Sequence, residues 1–136
     1  MTIEKKLVSP AYIKDNGLFS LNFSDLQKLA SAPIKDISVI SIPPQQFGGN
    51  HKHPRREMFI GLGEDLELIW VDERGKIKHD WMNKKNELLM FTIFPYVPHV
   101  VINHSPTKNG ILIEFADDIQ HEVAYYNLLE KKKSLF

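Results

Sequence analysis

The sequence contains no cysteine. Disulfide staples, thiolate zinc sites and a cysteine nucleophile are therefore excluded. It also carries no net charge, because 17 lysines and arginines balance 17 aspartates and glutamates. A nucleic-acid binder usually shows a basic stripe across its domain, so that class of partner is not expected. No apolar run approaches the roughly 20 residues of a membrane span, and the opening stretch MTIEKKLVSPAYIKDNG has no apolar signal segment. Internal repeats, low-complexity tracts and Gly/Ser linkers are absent too. The expectation is one domain over residues 1–136, cytoplasmic, with neither nucleic acid nor membrane as partner. At 136 residues and 43% hydrophobic, the chain can bury one core.

Helical signals are few. Ser24 and Gln27 have capping-box spacing, which predicts a short helix over about residues 25–31 that Pro33 stops. Ile119, Val123, Tyr126 and Leu129 or Glu130 follow helical spacing, predicting an amphipathic C-terminal helix over 118–132. The basic run Lys131–Lys133 reads as its solvated end. Nearly everything between 37 and 115 reads as strand. Ile37–Ile42, Met58–Gly63, Leu66–Val71, Lys76–Trp81, Leu88–Phe94, His99–Ile102 and Gly110–Phe115 are apolar or β-branched stretches separated by Pro, Gly, Asn and Asp. Many short strands with close turns and no helices between them predict an all-β sandwich or barrel, not a parallel α/β sheet.

The stretch GGNHKHPRREMF, residues 48–59, concentrates chemistry. His51 and His53 are two apart, so on an extended strand both imidazoles project from one face while Lys52 points away. Pro54 interrupts the strand, and Glu57 opens the next one. A hairpin of this kind brings a carboxylate beside two imidazoles, a donor set suited to non-haem iron and neighbouring first-row metals. A fourth donor is His99, which follows the turn Pro95-Tyr-Val-Pro98 at the start of an apolar strand. An imidazole buried there without a partner would be costly. His79 and His104 read as surface or hairpin residues, and His121 as an exposed position in the C-terminal helix.

The pattern H-x-H-x-x-x-E formed by His51, His53 and Glu57, with His99 and then Asn103 after a proline turn, resembles the two signature motifs of the cupin superfamily. The resemblance covers residues 37 to 115. It implies a double-stranded β-helix, or jelly-roll barrel, with a short N-terminal and a C-terminal helix, and a metal inside it. His51, His53, Glu57 and His99 fall on the four ligand positions; iron, manganese, zinc or nickel is the implied cofactor, and a homodimer the implied assembly. The departures lie in turns. Gln45 stands where the first motif has glycine, its closing glycine position is Glu64 with Gly63 one earlier, and Pro95-Tyr-Val-Pro98 replaces Pro-x-Gly. More loosely, His53-Pro-Arg-Arg-Glu-Met-Phe with Leu66-Glu-Leu-Ile-Trp and Pro98-His99 is similar to small cupins grouped with nucleotide-sugar ketoisomerases and sugar-reductase accessory domains.

The reading that follows is a metal-binding cupin acting on a small polar molecule, a sugar or organic acid. Isomerisation or epimerisation of a keto-sugar leads, with an iron or manganese dioxygenase and a non-catalytic binding or sensor barrel as alternatives. Tyr96, His104 and Glu114 are the candidates for moving protons. Arg55, Arg56, Phe59, Trp70 and Tyr96 are candidates for substrate contact, the arginines because a guanidinium can clamp an anion with two hydrogen bonds. The competing expectation places the aromatics in the core, and the arginines and Glu114 in solvent.

Overall fold

The structure is a computed structural model that describes residues 2–9, 13–83, 87–120 and 122–133; His121 lies outside them. Among the described residues, ten strands and two short helices follow one another: β1 Ile3–Leu7, α1 Phe23–Leu29, β2 Asp36–Ile42, β3 Phe47–Lys52, β4 Glu57–Leu62, β5 Leu66–Val71, β6 Ile77–Trp81, β7 Leu89–Ile93, β8 His99–Asn103, β9 Gly110–Ala116, β10 Ala124–Tyr125 and α2 Leu128–Lys133. They form two antiparallel sheets, ordered β1-β7-β4-β9-β2 and β10-β3-β8-β5-β6. From β2 onward each strand leaves one sheet for the other, except that β5 and β6 form a hairpin within the second, a jelly-roll winding.

Why the central strands read as unbroken apolar runs is clear from the packing. One cluster fills the space between the sheets and includes Ile42, Phe59, Leu68, Phe91, Val101 and Leu112. A second lies on the outer face of the first sheet, where Met58, Ile60, Met90 and Phe115 meet Leu26 and Leu29 of α1. Alternate residues of β4 are thus buried on opposite faces, so period-two polarity disappears. At about 1.5–3 kcal/mol for each fully buried large apolar side chain, these clusters drive the collapse.

Of the glycines, Gly110 leaves the least room for a side chain. A Cβ there would stand 2.5 Å from Leu66 Cδ2 and 3.1 Å from its Cγ, and Leu66 is fully buried. Gly110→Ala should therefore cost about 1–3 kcal/mol, read as a lowered denaturation midpoint with an unchanged m-value.

Both helices differ from expectation. The N-terminal capping box is Asn22 and Asp25, not Ser24 and Gln27: Asn22 Oδ1 accepts from Asp25 N at 2.9 Å, and Asp25 Oδ2 from Asn22 N at 3.0 Å. Gln27 instead pins the chain after the helix, donating to Ala32 O and accepting from Ile34 N. At the other end, the expected helix over 118–132 is reduced to α2. Ala124 and Tyr125 add as β10 to the edge of β3, opposite Lys52 and His51, and Leu128 is buried against Ile69 and Val100. Pairing a free sheet edge outweighs the helical periodicity of the same residues. β1, rich in charge and not expected, pairs with β7 and packs half-buried Ile3 against the core.

Candidate metal centre

The barrel interior gathers three of the four motif residues from two neighbouring stretches and the fourth from β8. β3 and β8 pair in register from Phe47↔Ile102 to Gly49↔Val100, then skip Asn50, so that His51 lies opposite His99. Strict alternation from Gly48 would have turned His51 outward. The extra residue of the bulge turns it inward, beside His99. Asn50 adopts φ +67°, and its Oδ1 accepts from the backbone N–H of Leu128 and Leu129 at 2.7 and 3.2 Å. The same residue therefore shapes the bulge and caps α2. Gly49, at φ +94°, lets the backbones approach, since a Cβ there would lie 3.0 Å from His99 O.

His51, His53, Glu57 and His99 offer ligand atoms that all lie within 4.8 Å of one another, and the last three residues are buried. The imidazole rings stand edge to face at 4.9–5.2 Å. His99 Nδ1 donates to Val97 O at 2.8 Å, since a carbonyl can only accept, and this turns Nε2 toward the group. His53 Nε2 and His99 Nε2 come within 2.8 and 3.2 Å of Glu57 Oε1. None of these three atoms has a partner in hydrogen-bond geometry. Convergent donor atoms of three imidazoles and one carboxylate, those of His53, His99 and Glu57 buried and unsatisfied, fit a first-row divalent cation.

The electrostatics agree with that donor set. Burial, with His99 and His53 adjoining, pushes the His51 imidazole down to about 4, so it is neutral at physiological pH. Burial opposes ionisation of Glu57, but the His53 and His99 rings and the Glu114 carboxyl hold it well below the usual carboxylate range. Glu114 goes the other way, raised to about 8 by burial and by Glu57, against the pull of Arg55.

Arg55 is neither a solvated turn residue nor free to clamp a substrate. It is 8% exposed and spends its guanidinium on the protein. Nε and Nη2 reach Glu57 Oε2 at 2.9 and 2.8 Å, Nη1 reaches Asp36 Oδ2 at 2.6 Å and Asp118 O at 3.2 Å, and Nη2 also donates to Glu114 Oε1. Arg56 donates to Ser31 Oγ and lies over the Phe94 ring. The expectation that Arg55 awaits an anion does not fit these contacts; Arg56 Nε is buried without a partner.

Glu114, read as a weak candidate, is 7% exposed and faces the interior opposite Phe59. A cavity of about 100 Å³ adjoins the histidines and is lined by Ile40, Gly48, Phe59, Val101, Leu112 and Glu114 among others. Phe59 stacks obliquely 6.0 Å from His99. Larger cavities lie elsewhere. One of about 240 Å³ at the opposite end, around Gly63 and Asn103, has its Asn103 amide satisfied by Ile42 O, Pro43 O and Lys108 O.

Three other candidates are not brought to the group. His104 pairs with Glu67 at 3.0 Å and packs on Trp81, beyond the far end of β8 from His99. Tyr96 is 63% exposed; its contribution is a backbone one, at φ +65°, donating its N–H to His53 O at 2.8 Å. Trp70, the register partner of His99, packs half-buried against the core. His79, as expected, is a surface residue, paired with the same Glu67.

No family model matches the chain, and neither does any curated protein. Solved structures do. The sugar 3,4-ketoisomerase QdtA of Thermoanaerobacterium thermosaccharolyticum, in complex with TDP, is similar at TM-score 0.72 and 14% identity, over 99% of this chain and 98% of that one. A 3,4-ketoisomerase from Helicobacter canadensis reaches TM-score 0.70 at 21% identity, over 90% and 87%. The capsular polysaccharide assembling protein CapF of Staphylococcus aureus matches 73% of this chain at TM-score 0.62 and 16% identity, but this chain spans only 28% of its length. Identities this low report a likeness of fold. With two antiparallel sheets wound as a jelly roll, and with sugar-modifying proteins of that fold as its structural neighbours, the chain has the cupin-type double-stranded β-helix.

Proposed function

We propose that the protein is a metal-dependent cupin enzyme that isomerises or epimerises a sugar-type keto substrate. His51, His53, Glu57 and His99 would hold a divalent iron, manganese, zinc or nickel ion. Bound there, the ion supplies Lewis acidity that polarises a substrate carbonyl or hydroxyl. The observation that carries the reading is Glu114: a carboxyl lining the same cavity as His51 and His99. Proton-transfer chemistry needs a titratable group within reach of the substrate, and an otherwise apolar pocket would favour binding or oxygenation.

The reaction is a balanced proton shift. Glu114, as the carboxylate, takes the proton from the hydroxyl-bearing carbon beside the carbonyl while the carbonyl oxygen gains one, giving the enediol; Glu114 then delivers a proton to the former carbonyl carbon as the neighbouring hydroxyl gives up its own, which completes the isomerisation. Arg55 holds Glu114 at the cavity wall, while Ile40, Phe59, Val101 and Leu112 supply apolar lining around the substrate. The structural neighbours supply a first substrate, since a QdtA variant has been solved with TDP-4-keto-6-deoxyglucose.

The test is solvent exchange. Incubated in D₂O with the metal-loaded protein, TDP-4-keto-6-deoxyglucose should gain deuterium beside its keto group, read by proton NMR. Glu114→Gln should slow that exchange by about 10²–10⁴-fold while retaining metal. Exchange that proceeds equally in Glu114→Gln would remove Glu114 from the mechanism. The absence of any exchange would count against sugar isomerisation. O₂ uptake by the iron-loaded protein with small acids would then support the dioxygenase reading. The homodimer implied by the cupin resemblance is part of the same proposal.

A further inference from the structure

Glu57 has two carboxylate oxygens, and the protein treats them differently. Oε1 faces His53 and His99 without a hydrogen-bonding partner, whereas Oε2 is held by Arg55 Nε and Nη2. Free to rotate, a carboxylate can bind a cation through both oxygens and consume two coordination positions. One oxygen locked by a guanidinium leaves only the other to offer.

The guanidinium is itself fixed from several sides. Asp36 on β2, Glu114 on β9 and the carbonyl of Asp118 beyond β9 hold it. Asp36 and Glu57 both stand opposite Ala116 in the β2–β9–β4 ladder, so the carboxylates reach Arg55 from one row of the sheet. The turn carrying Arg55 is tied down as well: Arg56 N donates to Asp117 Oδ1, and Asp117 N to Arg56 O. Lysine could supply the charge at this position but not the planar fork that meets three carboxylates.

We propose that Arg55 is a positioning residue that presents a single oxygen of Glu57 to the three histidines and keeps coordination positions open for a ligand. The proposal rests on the metal reading above. It assigns Arg55 a role toward the metal group through Glu57, with no contact to substrate.

The test compares Co(II) binding by wild type, Arg55→Lys and Asp36→Asn, using the visible absorption of the bound ion for both affinity and coordination. Asp36→Asn loosens the same arginine without touching Glu57, and so controls for a merely structural loss. Arg55→Lys should weaken Co(II) by about 10- to 100-fold, the usual effect of removing a group that orients a ligand, and should alter the intensity of the visible bands. Asp36→Asn should lower Tm yet keep the wild-type spectrum and an affinity within about threefold, below that range. Arg55→Gln, whose amide can still donate to Oε2, should recover part of the affinity; it carries the same comparison if Arg55→Lys does not fold. A wild-type spectrum and affinity in Arg55→Lys would overturn the proposal. So would a loss that Asp36→Asn reproduces at equal cost in Tm. Failure of the wild type itself to bind Co(II) would overturn the metal reading and this proposal with it, a result distinct from either variant outcome.

Discussion

Glu57→Gln should purify as a folded protein holding less than about a tenth of the wild-type metal, a loss at least as large as that from removing a group that merely orients a ligand. Glu64→Gln should keep the full complement. The two residues are close in sequence and opposite in place. Glu57 is 2% exposed inside the barrel, whereas Glu64 is exposed beside Gly63 at the other end. The substitution is nearly isosteric, and Arg55 keeps Asp36 and Glu114 as partners, so the loss should not come from unfolding. What goes is the carboxylate oxygen among three imidazoles, the one acidic side chain in the donor set. Elemental mass spectrometry of untagged protein purified without added metal makes the measurement. Equal metal in the two variants would remove Glu57 from the site. The identity of the metal in the wild type also directs the next assay. Near-stoichiometric iron calls for O₂ uptake first, and zinc, nickel or manganese for deuterium exchange.

The largest stability effect should come from Arg55→Met, at about 3–5 kcal/mol, the range for removing one partner from a buried ion pair. Methionine fills most of the arginine's volume, so packing loss is minor. The cost arises from Glu57 and Glu114, 2% and 7% exposed, and from half-buried Asp36, left facing one another without their cation. A pH dependence follows from the sign of the linkage. Without Arg55, like charges raise the carboxyl pKa values in the folded state above their unfolded values. The folded protein then binds more protons than the unfolded chain, and stability falls as pH rises through that interval. Glu114 already lies at about 8 with the arginine present, because burial and Glu57 raise it. The deficit of Arg55→Met should therefore widen from pH 5 to pH 8. Urea denaturation at the two pH values measures it; a loss below about 1 kcal/mol, the surface-pair range, would show that the network is not what holds these strands together.

The gathering of His51, His53, Glu57 and His99 was legible in the sequence because its signal is mostly local. Residues two apart on a strand share a face, and a proline turn followed by a histidine at the head of an apolar run marks the fourth. Fold class was legible for a related reason: short β-branched stretches cut by turn residues leave few other architectures. Even so, His51 faces inward only through the bulge at Asn50, whose positive φ is supported by the cap that its side chain forms on α2. Gln45 and Tyr96 likewise adopt φ +59° and +65° in turns where the cupin pattern has, or is close to, a glycine. Their local preference is overruled at a cost of about 1–2 kcal/mol each.

Arg55 is the clearest case of what only tertiary structure decides. In Pro54-Arg-Arg-Glu57 it reads as one more cation in a polar turn. Its meaning comes from Asp36 and Glu114, which lie far away in sequence and reach it only because β2, β9 and β4 are neighbours in one sheet. Burial then converts an ordinary surface charge into the anchor of three carboxylates. The C-terminal segment teaches the same lesson, since its periodicity suits a helix while the exposed edge of β3 makes two of its residues a strand. By itself, the sequence determined which groups could meet a metal and what kind of barrel would surround them. Which way those groups turn, and which charges lie beside them, depended on long-range strand pairing and desolvation, neither of which is encoded in any short stretch of the chain.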